Sequence, residues 1–285
     1  MASAWTEKSV ALPGRGPIFV RESAGPQGAP TLVLLHGLGA TGLLNWRSVF
    51  SRLEPKYRVV VVDHRGHGRG MRIRAPFRLA DCADDVAVLA DELEIERFIP
   101  VGYSMGGPIA QLLWQRHRAR IEGLVLCATS YRFGSKDHQR ASHAFSPMLN
   151  WAGRLAPRRT LRRVARNWLL DAIEDPAIRE HVMSEVASSD PITVGQAAAA
   201  IVRFDSTAWI GEIDVPVSVV LTERDELVAP TNQKKMAERI PGAVVFPVAA
   251  AHSACVTHPG LFGPALGEAC ESVVARAQAR ARKRS

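Results

Sequence analysis

The sequence is poor in cysteine, has no apolar run long enough to cross a bilayer, and carries almost no acid in one forty-residue stretch. Its four cysteines, Cys82, Cys127, Cys255 and Cys270, are too widely spaced for a metal-binding pair or a disulfide framework. They read as free thiols in a reducing compartment. No stretch reaches the ~18 consecutive apolar residues that a spanning helix needs. The opening residues, Met1 to Lys8, lack the apolar core of a signal peptide. A cytoplasmic location is therefore expected. No histidine pairs with acids or cysteines at ligand spacing, so no metal is expected either.

What is present is a chain of 285 residues, 47% hydrophobic, enough for one large domain whose sheet is covered on both faces, with or without an insert. The net charge of +8 is unevenly distributed. Residues 131–170 hold nine basic side chains, Arg132, Lys136, Arg140, Arg154, Arg158, Arg159, Arg162, Arg163 and Arg166, against Asp137 alone. Arg276, Arg280, Arg282, Lys283 and Arg284 add to this at the end, so the remainder is mildly acidic. No recognition motif accompanies the charge, and nucleic-acid binding is not expected.

Strand-like and helix-like runs alternate along most of the chain. Lys8–Leu12 and Ile18–Arg21 read as antiparallel edge strands. Leu43–Leu53 then reads as a helix, Arg58–Val62 as a strand, Asp81–Leu93 as a helix and Arg97–Val101 as a strand. Met105–His117 reads as a helix and Ile121–Cys127 as a buried strand. The alternation stops from about Ser130 to Trp209. It resumes with strand Val217–Thr222, helix Thr231–Arg239, strand Val244–Val248 and helix Phe262–Arg276. Ala275–Ser285 reads as a frayed basic end. This order predicts an α/β fold with a doubly wound, mostly parallel sheet.

One short run carries the chemistry: Gly102-Tyr103-Ser104-Met105-Gly106, between an apolar strand and an amphipathic helix. Glycines two residues before and after the serine are needed where strand and helix backbones come too close for side chains. Pro108 falls in the first helical turn, where a missing N–H costs nothing. Such a turn holds the serine in a strained conformation with its hydroxyl exposed beside a helix N-terminus.

This run resembles the nucleophile elbow of the α/β-hydrolase superfamily. Other segments match the same family in order, over about residues 17–275. Thr31–Leu35 ends in His36-Gly37-Leu38-Gly39, similar to the family's oxyanion loop. Val59–Val62 ends in Asp63-His64-Arg65-Gly66-His67-Gly68, similar to its D-x-R-G-x-G turn. Val217–Thr222 leads to Asp225, and Val244–Val248 leads to His252. The order serine, acid, histidine is the one this superfamily uses. The resemblance implies an α/β-hydrolase core at residues 1–129 and 210–285, with a helical cap inserted at residues 130–209.

It also implies a role for each site residue. Ser104 would attack, His252 would accept its proton, and Asp225 would orient the imidazole. Glu223 and Glu226 compete for the acid's role, and Asp225 is preferred for its offset from the strand end and the Leu227-Val228-Ala229-Pro230 that follows. His258 is an inferior base, while His36, His64 and His67 read as structural. The family often has glycine before its histidine and an acid five positions after it; here those positions are Ala251 and Thr257. The N–H groups of Leu38 and Met105 would receive the developing oxyanion. Tyr103 and the cap are expected to shape the pocket.

A serine at the elbow excludes the family's aspartate-dependent dehalogenase and epoxide-hydrolase chemistry. The expected activity is a serine esterase acting on a small-molecule acyl ester, through an acyl-enzyme and without a cofactor. A thioesterase, an acyltransferase, a carbon–carbon bond hydrolase and a cofactor-free perhydrolase use the same residues, and a non-catalytic binding member would keep only the pocket. In the expected cap, Leu161, Val164, Trp168 and Leu169 share one helical face with arginines on the others. That pattern fits either an ordinary cap helix or peripheral contact with an anionic membrane and a preference for lipid-like esters.

Overall fold

A strand that reads as an unbroken apolar run is covered on both faces, because alternation would leave half of its side chains in water. In the computed structural model, which describes residues 5–133, 185 and 187–283, five such runs form the centre of one sheet. They are β3 (Thr31–Leu35), β4 (Arg58–Asp63), β5 (Ile99–Tyr103), β6 (Leu124–Cys127) and β7 (Val217–Thr222). They pair in parallel, and β8 (Val244–Val248) extends the parallel edge. β1 (Thr6–Leu12) and β2 (Gly16–Ser23) form an antiparallel hairpin at the other edge, where β2 meets β4 antiparallel.

The strand order is β1-β2-β4-β3-β5-β6-β7-β8. β3 lies between β4 and β5, so the direction of winding reverses there, and the crevice outside the carboxyl ends of β3 and β5 is where such sheets bind ligands. Strand periodicity divides the core into two halves. Leu32, Leu34, Val59, Val61, Val101 and Val125 face one side of the sheet. There they meet Trp46 and Phe50 of α1 (Gly42–Leu53). Val33, Leu35, Val60, Val62, Leu124 and Leu126 face the other side. They meet α2 (Leu79–Glu92) and α3 (Gly106–Arg116).

Of the interval expected to form a cap, the described part includes α4 (Pro191–Arg203). Asp190 caps it, accepting from Thr193 N at 3.3 Å, with Pro191 in the first turn. Ala197 and Ala200 join the core. The helix expected around Leu161 to Leu169 lies outside the described residues.

The chain continues through α5 (Pro230–Arg239) and the short α6 (Ala254–Thr257) to α7 (Pro259–Arg282). Phe262, Leu266 and Cys270 of α7 pack beside α1. The expected frayed end is corrected here, since α7 stays helical through Arg282. Alanine and arginine, which alternate over its last turns, are strong helix formers. Arg276 also ties the helix to the sheet, donating to Gly242 O at 2.9 Å, Val217 O at 2.8 Å and Ser218 Oγ at 3.0 Å. Arg276→Ala is therefore expected to destabilise the fold by about 1.5–3 kcal/mol, the worth of a hydrogen-bonded charge. Urea or thermal unfolding checks this, and an unchanged midpoint would mean that the guanidinium does not anchor the helix.

Candidate active site

β5 ends at Tyr103 and α3 begins at Gly106, which leaves two residues for the reversal. A Cβ on Gly102 would lie 2.3 Å from Gly106 O, and a Cβ on Gly106 would lie 2.2 Å from Leu35 O. The first contact is the strand–helix approach expected at the elbow. The second presses the helix start against β3. Ser104 takes φ +51°, a left-handed conformation costly for a residue with a side chain. Its backbone is held on both sides. Ser104 N donates to Cys127 O at 2.9 Å, while Ser104 O accepts from Gly107 N at 2.9 Å and Thr129 Oγ1 at 2.8 Å.

His252, in the loop after β8, lies with Nε2 3.0 Å from Ser104 Oγ and Nδ1 2.7 Å from Asp225 Oδ2. Asp225 is buried, whereas Glu223 and Glu226 point into solvent. Its Oδ2 also accepts from Thr222 Oγ1 at 2.7 Å and Gln233 Nε2 at 3.1 Å. Its Oδ1 accepts from the N–H groups of Leu227 and Val228 at 3.0 and 2.8 Å. Burial opposes ionisation of this carboxyl. The donors, His252 foremost, outweigh it and hold the group below the usual carboxylate range.

The loop after β3 meets the elbow from the other side. A Cβ on Gly37 would lie 3.3 Å from Ser104 Cβ. His36 Nε2 accepts from His64 N at 3.0 Å, so its proton sits on Nδ1, which donates to Gly37 O at 2.7 Å. Gly37 O and Leu38 N belong to one trans peptide, whose oxygen and N–H point in opposite directions. Fixing the oxygen thereby aims the Leu38 N–H. Among the described residues, neither Leu38 N–H nor Met105 N–H donates to another protein atom. The Met105 side chain is buried in the core, and that of Leu38 packs against it half-buried.

The other histidines stand apart from the Ser104 hydroxyl. His258 is exposed and bonded to Thr257 Oγ1 at 2.9 Å. His36, His64 and His67 form a buried cluster, with ring centroids 4.5 and 5.3 Å from His36 to the other two. Burial lowers all three, His36 to about 4, His67 to about 3 and His64 well below its ordinary value. Among the described residues, no group of three histidines, cysteines or acids is arranged to hold a metal ion.

Tyr103 requires a correction. Strand alternation sends its ring to the face opposite α3, where it packs on Trp46 and Phe262 with centroids 6.1 and 5.5 Å apart. With 2% of its surface exposed, it sits in the core beneath the site. Its hydroxyl donates to His252 O. Sequence reasoning also missed Gln233. This residue is fully buried and donates through Nε2 to Thr222 Oγ1, Asp225 Oδ2 and Val228 O, while its Oε1 accepts from Thr222 N. One signal was available: Gln233 shares a helical face with Met236 and Ala237, both buried, and a polar residue on an apolar face needs partners.

A sequence profile described as the alpha/beta hydrolase fold matches residues 30–177. The chain belongs to this family. It is similar to a putative carbamate hydrolase, RutD, of Agrobacterium fabrum, with 29% identity over 84% of this chain and 92% of that protein. It is also similar to 3-oxoadipate enol-lactonase 2 of Acinetobacter baylyi, with 26% identity over 83% and 87% of the two chains. Among solved structures, the enol-lactonase of Burkholderia xenovorans superposes with a TM-score of 0.78 at 25% identity, covering 93% of this chain and all of that one.

The buried histidines fix a pH response. As pH falls below about 6.5, the unfolded chain takes up protons at these imidazoles, whereas the folded chain does not until about 4 at His36, about 3 at His67 and well below 6.5 at His64. Stability is thus intact above 6.5 and falls below it, by about 1.4 kcal/mol per pH unit for each imidazole. Urea unfolding at pH 7.5, 6 and 5 measures it. A flat profile would contradict the neutral cluster.

Proposed function

We propose that the chain is a serine-dependent hydrolase of small carboxylic esters that works through an acyl-enzyme. The observation that carries this reading is the line of contacts from Asp225 Oδ2 to His252 Nδ1 at 2.7 Å and from His252 Nε2 to Ser104 Oγ at 3.0 Å. A serine hydroxyl is a weak nucleophile until a base takes its proton as it attacks, and this distance is within reach for that transfer.

Ser104 Oγ attacks the carbonyl carbon while its proton passes to His252 Nε2. Asp225 keeps Nδ1 protonated and stabilises the imidazolium that forms. The carbonyl oxygen gains negative charge and meets the N–H groups of Leu38 and Met105, one such donor contributing about 2.7–4 kcal/mol in the transition state. His252 returns the proton to the departing alkoxide, leaving acyl-Ser104. Water then repeats the sequence with the acyl carbon and frees the acid. Two similar proteins are named for cleaving a lactone or a carbamate, bonds at a carbonyl carbon, which supports acyl chemistry at this site.

A fluorophosphonate probe should label the wild type and not Ser104→Ala. Absence of labelling in the wild type would overturn the reading in favour of a pocket that binds without turnover. Asp225→Asn should lower kcat by about 10⁴, since the amide favours the wrong imidazole tautomer. Product analysis on an aryl ester and a thioester, each with and without added alcohol, separates hydrolysis from acyl transfer. Gln233→Leu removes one donor to Asp225 and the acceptor of Thr222 N. We expect kcat to drop roughly ten- to a hundredfold with KM little changed. A KM effect alone would place Gln233 in substrate binding instead.

A further inference from the structure

Ahead of α4 the chain passes through Ser188-Ser189-Asp190, and these residues are seated on the loop after β4, residues 64–70. Gly68 N donates to Ser189 Oγ at 3.1 Å, and Asp190 N donates to Gly66 O at 2.8 Å. Arg72 Nη2 clamps the two segments together, donating to Ser188 O at 2.6 Å and to Gly68 O at 3.0 Å. Thr193, in the first turn of α4, packs so close that a Cβ on Gly66 would lie 2.1 Å from its Cγ2. None of the roles above uses this junction.

The same loop meets the oxyanion loop on its other side. His64 N donates to His36 Nε2 at 3.0 Å, and His36 Nδ1 donates to Gly37 O at 2.7 Å, where Ala40 N adds a longer bond at 3.3 Å. Asp63 joins the two loops a second time. Its Oδ1 accepts from Gly42 N at 2.8 Å and its Oδ2 from Arg69 N at 3.0 Å. Between its two sides the loop is stiff. His67 N donates to His64 O at 2.9 Å and Gly70 N to His67 O at 2.8 Å, two turns in succession. The Arg65 guanidinium grips Asp85 of α2 through two bonds at 2.7 and 2.6 Å. A stiff loop passes a displacement across, where a soft one would absorb it. Ser189 is 6% exposed, so a bond broken at the junction leaves a buried polar group unpaired, and the loop must shift to satisfy it.

We propose that Ser189 and Arg72 are positioning residues for the Leu38 N–H, acting through the loop after β4 and the bond from His64 N to His36. The proposal rests on the serine-hydrolase reading, in which that N–H receives the oxyanion. A donor that acts on the tetrahedral species changes the chemical step and leaves ground-state binding alone. The segment that enters α4 thereby sets part of the catalytic geometry, although it lies far along the chain from Leu38.

Hydrolysis of p-nitrophenyl acetate and inhibition by phenyl trifluoromethyl ketone, whose adduct with a serine hydroxyl carries an oxyanion, test it together. Each variant is assayed well below its melting temperature. Arg72→Ala and Ser189→Ala should each lower kcat roughly fivefold at unchanged KM and weaken the ketone by a similar factor. In a His36→Phe background, which already lacks the bond from His64 N, neither substitution should cost more. Losses that multiply in that background overturn the proposal. So do single variants within about twofold of the wild-type kcat, or a change in KM alone. If His36→Phe does not fold, the ketone carries the test, and a lowered kcat with unchanged inhibition overturns it. Equal fluorophosphonate labelling of Ser104→Ala and wild type would instead overturn the serine-hydrolase reading itself.

Discussion

Three backbones meet at the elbow with no room for a Cβ between them: β5 at Gly102, α3 at Gly106, and β3 at Leu35. The chain must reverse within Ser104 and Met105, and this reversal forces Ser104 to φ +51°. The conformation costs about 1–2 kcal/mol. Three hydrogen bonds to the Ser104 backbone, each worth about 1 kcal/mol net, offset that cost and prevent the turn from relaxing. The hydroxyl is then the one polar part of Ser104 not used in holding the turn. The rest of the site depends on this placement. In a parallel sheet the loops after β3, β7 and β8 all emerge at the same edge as Ser104, so Leu38, Asp225 and His252 need only short loops to reach it.

The site also divides one residue type between two tasks, and burial and hydrogen-bond partners together decide which. His36 receives a backbone N–H on Nε2, which demands a lone pair there, and its remaining proton is spent on Gly37 O. Such an imidazole stays neutral and acts as a strut. His252 has a carboxylate at Nδ1 and a hydroxyl at Nε2. Its two nitrogens thus face the Asp225 carboxylate and the Ser104 hydroxyl, the order that the proposed proton transfer requires. Asp225 is prepared for this by four donors besides His252, all supplied by its own loop, the end of β7 and α5.

What was legible in the sequence was local. The glycines around Ser104, the apolar runs before Asp225 and His252, and the alternation of strands and helices are signals carried within a few residues. Contacts through space were not. Gln233 and Asp225 are near in sequence, yet their bond depends on how α5 lies against β7. Asn45 and Cys255, hydrogen-bonded at 3.4 Å, are 210 positions apart. Tyr103 could have been read correctly. Ile99, Val101 and Tyr103 share one face of β5, so period two already sends the tyrosine away from the α3 side. The end of α7 was misread because its charge was weighed above its helix propensity, whereas Arg276 spends that charge on carbonyls of the sheet. Of the cap expected at residues 130–209, α4 packs its alanines into the core, as an element seated on the body of the fold does.

The departures at the histidine loop become intelligible in the same terms. The family's frequent glycine before the histidine and acid five residues after it are absent here, replaced by Ala251 and Thr257. An acid at that later position could fix a loop through charge-assisted bonds to nearby N–H groups. In this chain Thr257 Oγ1 instead donates to Ser253 O at 3.1 Å, closing the short α6 on itself. Arg224 N donates to Ala250 O at 3.1 Å, which ties the histidine loop to the acid's loop through backbone alone. The remaining restraint comes from beneath, where Tyr103 grips the His252 carbonyl and Ser48 grips Cys255. A loop held by buried neutral hydrogen bonds is insensitive to salt, unlike one held by an exposed carboxylate. The restraint is thus moved from the rim of the site to the aromatic core under it, and the residue just before Ser104 becomes answerable for where the His252 backbone sits.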